Sequence, residues 1–157
     1  MSDQVELTNP VELSVGGMSG HILRRGIHLA ISFLPLLYFE LGNDVADYVS
    51  LTLEQVVSAV ILIAVFGEAL RLRMGWTIVG QRSYEAKQVS ALAWGALGVG
   101  MVFLLAPEPE YAYPLILSLS LGDPLLGELR RKGVSTKTVI WAGMIGIALI
   151  WATCAYL

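Results

Sequence analysis

The chain has 157 residues, of which 55% are hydrophobic and only 15% charged, with a formal net charge of −3. This composition lies far outside the soluble average and excludes an ordinary water-soluble domain, which needs much more polar surface. The length fits one membrane domain without a second folded unit, and the ten bases are too few, and too close to apolar stretches, to form a nucleic-acid surface.

In chain order, residues 1–20 are polar and end in Gly16-Gly17-Met18-Ser19-Gly20, which reads as a flexible or amphipathic cytoplasmic segment. It carries no cationic start, so no cleavable signal peptide is expected and the first apolar span serves for targeting. Residues 21–157 read as a single all-α transmembrane domain of about five helices. The spans run from Ile27 to Leu41, Leu53 to Arg71, Val89 to Ala106, Ala112 to Leu126, and Thr138 to Leu157. The third and fifth meet the span length of about 17–25 residues. The first and fourth are short and interrupted, by Pro35 and by Gly122-Asp123-Pro124, and a broken span marks a site at membrane depth. Cys154, the single cysteine, lies in the last apolar run and reads as a packing residue.

Charge gives the orientation. All Lys and Arg fall in three clusters: Arg24 and Arg25; Arg71, Arg73, Arg82 and Lys87; Arg130, Arg131, Lys132 and Lys137. The connections between the first two spans and between the next two carry acids alone, among them Glu40, Asp44, Asp47, Glu54, Glu108 and Glu110. Counting spans alternately puts every base on one side, which the positive-inside rule identifies as the cytoplasm, together with the amino terminus. The expected location is the cell membrane, as a multi-pass protein.

Ionisable groups within or beside spans are functional candidates because their burial is costly. Asp123 follows a Ser-rich run and precedes Pro124, where a broken helix would free carbonyls and suit Mg²⁺ shared with a polyphosphate; capping of a half-helix is the other reading. Glu68 and Arg71 are three apart on one helical face, either a local ion pair or a device that orients a substrate hydroxyl. Arg24, Arg25 and His28 lie where the first span begins, with His28 a phosphate ligand or proton acceptor, or a packed side chain beside snorkelling arginines. His21, in the polar segment, is expected to be solvent-exposed and inert. The Glu128–Thr138 stretch holds four cations, a Gly and three hydroxyls, which suits either phosphate or anionic lipid heads.

Three stretches, Arg24-Arg25-x-x-His28, Glu68-x-x-Arg71 and Gly122-Asp123-Pro124-x-x-Gly127, occur in this order across roughly His21 to Gly143. The pattern resembles the membrane-embedded CTP-dependent polyprenol kinases, dolichol kinase and phytol kinase, which are related to phosphatidate cytidylyltransferases. Ser135-Thr136-Lys137-Thr138 stands where that family carries a Lys-Lys-Ser/Thr loop, so Lys137 and Thr138 match its nucleotide-binding positions. The resemblance implies phosphorylation of an isoprenoid alcohol at the cytoplasmic face, with CTP as donor. Asp123 would hold Mg²⁺. Arg24, Arg25, Arg71, Arg130, Arg131, Lys137 and Thr138 would bind the nucleotide, and Glu68 or His28 would accept the hydroxyl proton. The implied partners are a membrane lipid and a nucleotide, with a homo-oligomer left open. Two alternatives use the same residues: a CDP-lipid-forming cytidylyltransferase, and a non-catalytic lipid-binding or scaffold protein.

Overall fold

The computed structural model describes residues 14–156, and over them the protein is all-α, without a β-sheet. Six helices follow in order: α1 Gly17–Ile31, α2 Leu34–Tyr48, α3 Leu53–Met74, α4 Ala91–Leu105, α5 Pro109–Arg131 and α6 Thr136–Cys154. A short 3₁₀ helix, Ser83–Lys87, lies between α3 and α4. Residues 1–13, most of the expected amino-terminal segment, lie outside the described residues.

The first expected span is two helices bent by 56°. The reason is local. Pro35 has no N–H for the carbonyl of Ile31 and its ring would crowd that carbonyl, so α1 stops. The amides of Ser32 and Phe33 close the end onto Leu29 and Ala30, and Pro35 then sits without cost in the first turn of α2. The same helix begins earlier than hydropathy suggested, at Gly17.

Boundary signals set α3 and α6. Thr52 and Gln55 form a reciprocal capping box ahead of α3, and Gly75, at φ 67°, terminates it. Ser135 caps α6 by accepting from the Thr138 amide at 3.3 Å. Both helices are long and apolar enough to cross a membrane, and the bent α1–α2 pair is a third if it counts as one span. Ile63, Phe66 and Leu105 are 72–74% exposed, a surface that suits lipid rather than water.

Two expectations need correction. The third span, α4, has only 15 residues, about 22 Å of helix against a hydrocarbon core of about 30 Å. The fourth does not break at Gly122-Asp123-Pro124: α5 runs 23 residues through both Pro114 and Pro124. Asp123 therefore caps no half-helix. Prolines persist inside membrane helices where neighbouring groups tolerate the freed carbonyl.

The core is small and lies away from the cations. Val99 and Phe103 of α4 pack against Ala112 and Ile116 of α5, with Ile31, Tyr38, Phe39 and Val57 around them. Tyr38 stacks on Phe103 with ring centroids 4.1 Å apart. Gly100 allows α3 to approach, since a Cβ there would lie 2.5 Å from Ile61.

Candidate functional site

The site begins with a strap. Ser14 and Val15 pair with the segment before the 3₁₀ helix, the Val15 amide donating to Gln81 O at 2.8 Å and the Gly80 amide to Val15 O at 3.0 Å. Gly16 and Gly80 adopt φ of 88° and 92°, which a side chain would resist. The strap crosses Gly20 so closely that a Cβ there would lie 2.1 Å from Val15 O. It thereby carries Arg82 to the first two turns of α1.

Two carboxylates lock that arrangement. Glu85, 2% exposed, accepts from Arg24 Nη1 at 2.9 Å and from the Arg82 amide at 3.2 Å through Oε1. Its Oε2 accepts from the Ala91 amide at 3.2 Å, where α4 starts. Glu68 binds Arg71 Nε and Nη2 at 2.9 and 2.7 Å and accepts the Ser90 amide at 2.6 Å. Arg71 also donates to the carbonyls of Trp76, Glu85 and Gln88 at 2.6–2.9 Å. All five guanidinium donors are used. Glu68 and Arg71 thus staple α3 to the connection before α4, and neither is available to a nucleotide or a hydroxyl as expected from the sequence.

α5 supplies the opposite wall. Arg25 pairs with Glu128, and His28 Nε2 lies 3.4 Å from Asp123 Oδ2, so α1 and α5 run antiparallel. Glu128 also takes Arg131, through Nε at 3.1 Å. The Arg131 bonds and then the Arg25 bond hold the Glu128 carboxyl down at about 2. Asp123 is 59% exposed, whereas His28 is 17% exposed and its Nδ1 is buried without a partner among the described residues.

Between strap, α1 and α5 lies a cavity of about 90 Å³, lined by Ser14, His21, Arg24, Arg25, His28, Arg82, Asp123, Gly127 and Arg130. A second space of about 110 Å³ shares Arg24 and His28 with it. That space in turn shares Ile27, Ile31, Leu92 and Gly95 with an apolar groove of about 600 Å³ between α1, α2, α3 and α4. The intervening space thus borders the polar cavity at Arg24 and His28 and the apolar groove at Ile27, Ile31, Leu92 and Gly95.

Of the residues expected at the site, Arg24, Arg25, His28, Asp123 and Arg130 line this cavity. Arg131 is held on Glu128 outside the lining, and Lys137 and Thr138 lie in the first turn of α6, with Thr138 Oγ1 2.8 Å from Ser135 Oγ. His21, expected exposed and inert, is 9% exposed and faces the cavity. Ser14, His21 and Arg82 were missed. The spacing of His21, Arg24, Arg25 and His28 along one helix face could have revealed His21; nothing local marks Ser14 or Arg82, which arrive by the strap.

Among the described residues no three His, Cys, Asp or Glu side chains cluster as a metal cage. Asp123 is the one carboxylate among the described residues that line the cavity. That donor set fits Mg²⁺ brought by a polyphosphate, which needs only one or two protein carboxylates, and does not fit a resident metal. No family model, curated protein or solved structure matches this chain.

Proposed function

We propose that the protein is a multi-pass cell-membrane enzyme that phosphorylates an isoprenoid alcohol with CTP at its cationic face. In this reading α1–α2 and α3 to α6 make five crossings, with the amino terminus and all the bases on the cytoplasmic side. The observation that carries it is the succession of neighbouring spaces from the arginine-lined cavity, past Arg24 and His28, to the apolar groove beyond Ile27 and Leu92. A groove of about 600 Å³ falls within the usual range of ligand sites, about 300–1,000 Å³, and suits an isoprenoid tail. The polar cavity, at about 90 Å³, suits a phosphoryl group, leaving the cytidine outside.

The chemistry follows from the side chains. A tail that lies in the groove and extends past Ile27 and Leu92 into the space that Arg24 and His28 line would bring its hydroxyl to His28. If the imidazole proton sits on Nε2, 3.4 Å from Asp123 Oδ2, Nδ1 is left to accept the hydroxyl proton. The alcohol oxygen bonds to the γ-phosphorus of CTP while the bond to the β-phosphoryl oxygen breaks and CDP leaves. Arg24, Arg25 and Arg130 stabilise the charge on the transferred group, which in phosphoryl transfer is most of the catalytic task. Mg²⁺, when carried in by CTP, would neutralise phosphate charge beside Asp123.

The test is incubation of the purified protein with labelled CTP and a polyprenol. Phosphorylated lipid and CDP are expected, and Asp123→Asn abolishes both. Release of pyrophosphate would instead indicate cytidylyl transfer to a lipid phosphate. No turnover would leave a non-catalytic lipid-binding protein.

A further inference from the structure

We infer that Ser14, His21, Arg82 and Arg130 form a binding subsite for a phosphate dianion within this cavity. The first observation is an unmet hydrogen-bonding demand. Ser14 is 8% and His21 9% exposed, both line the cavity, and Ser14 Oγ and His21 Nε2 have no partner among the described residues. Buried polar atoms in native proteins are nearly always paired, so two orphans on side chains that line one space point to an acceptor there. A hydroxyl and an imidazole N–H both donate, and phosphate offers only acceptors at its charged oxygens.

The second observation is a charge balance. Four arginines line the cavity and Arg131 shares Glu128 with Arg25, so five guanidinium groups meet three carboxylates, Glu85, Glu128 and Asp123, an excess of two positive charges. Among the described residues neither Arg82 nor Arg130 forms an ion pair; Arg82 Nη1 donates only to the neutral Tyr84 hydroxyl, at 2.6 Å. Two unmatched guanidinium groups call for about two negative charges, which a phosphate monoester near neutral pH supplies at about −1.5 to −2. A carboxylate would leave one cation unmatched. The planar guanidinium forks also favour phosphate through paired N–H···O contacts.

The inference deepens the reading above by naming the group the cavity holds, yet it requires no phosphoryl transfer. The phosphate belongs either to a lipid head or to a free anion, and the two arms of one experiment separate them. The protein is placed in nanodiscs of phosphatidylcholine, and thermal unfolding is followed while inorganic phosphate is titrated against chloride at equal ionic strength; in the second arm the discs contain phosphatidic acid. A ligand that binds only the native state raises the midpoint with saturation. Saturable stabilisation is expected in at least one arm. Ser14→Ala and Arg82→Gln should each weaken it about tenfold, the usual loss for one charge-assisted contact. Arg73→Gln, on the exposed face of α3, should leave it unchanged. Stabilisation by phosphatidic acid alone identifies a lipid head as the occupant, and by inorganic phosphate as well, a free anion. No saturable effect in either arm, or equal loss in the Arg73 variant, overturns the inference. A protein that binds phosphate but never turns over CTP keeps this inference and loses the kinase reading.

Discussion

Two polar clusters lie at the same end of this protein, built from the same residue types, and they differ in how completely their hydrogen bonds are spent. At the Glu68–Arg71 clamp every guanidinium donor has a protein acceptor, and the carboxylate is held by Arg71 and the Ser90 amide. In the cavity between α1, α5 and the strap, and among the described residues, Ser14, His21 and His28 have buried atoms without a partner and Arg82 and Arg130 have no carboxylate. The saturated cluster reads as scaffold, and the unsaturated one is where we infer that an anion binds. Residue type alone would have ranked the clamp with the site.

The largest expected effect separates the two by activity. His28→Ala should lower phosphoryl transfer by about 10²–10⁴-fold, the usual worth of a positioned base, with a small shift in unfolding. Glu68→Ala should do the reverse. Removing one partner of a buried ion pair typically costs about 3–5 kcal/mol, read as a lowered unfolding midpoint in detergent. If Glu68→Ala were as stable as the parent but inactive, the clamp would belong to the site.

The strap links the clusters and can be cut selectively. Gly20→Ala places a methyl 2.1 Å from Val15 O and should displace the strap at about 1–3 kcal/mol, carrying Ser14 and Arg82 out of the cavity and abolishing phosphate binding. Acid should act next. The folded Glu128 carboxyl stays charged down to about 2, whereas an unperturbed one protonates near 4.5. The folded state thus binds fewer protons than the unfolded state in that window. The stabilisation from the Arg25–Glu128–Arg131 triad is complete above about pH 4.5 and is lost as pH falls toward 2. Glu128→Gln should flatten that part of the stability profile. Lys137→Ala, in the first turn of α6 outside the cavity, should change stability by less than about 0.5 kcal/mol and leave phosphate binding intact.

What the sequence made legible follows the range of the interaction. α3 and α6 could be read to within a few residues because apolar runs and caps are local. His28, Asp123 and the flanking arginines could be read because charge beside a span is rare and costly. Pro35 misled less than Pro124: the first stops α1 where its ring meets Ile31, the second sits within a helix that continues to Arg131. The start of α1 was set by hydropathy at Ile27, which left His21 outside any helix although it lies on the face that carries Arg24 and Arg25. Ser14 and Arg82 were beyond reach, because they meet only through pairing across more than sixty residues of chain.

The central claim is that the unsaturated cavity, and not the clamp or the basic turn before α6, holds the phosphate. Tungstate, a heavy dianion of phosphate shape, tests it most directly by anomalous diffraction from crystals grown in lipid. A single strong peak within hydrogen-bonding reach of His21, Arg82 and Arg130 is predicted, weakened by Ser14→Ala. A peak between Lys132 and Lys137 with an empty cavity would contradict the account.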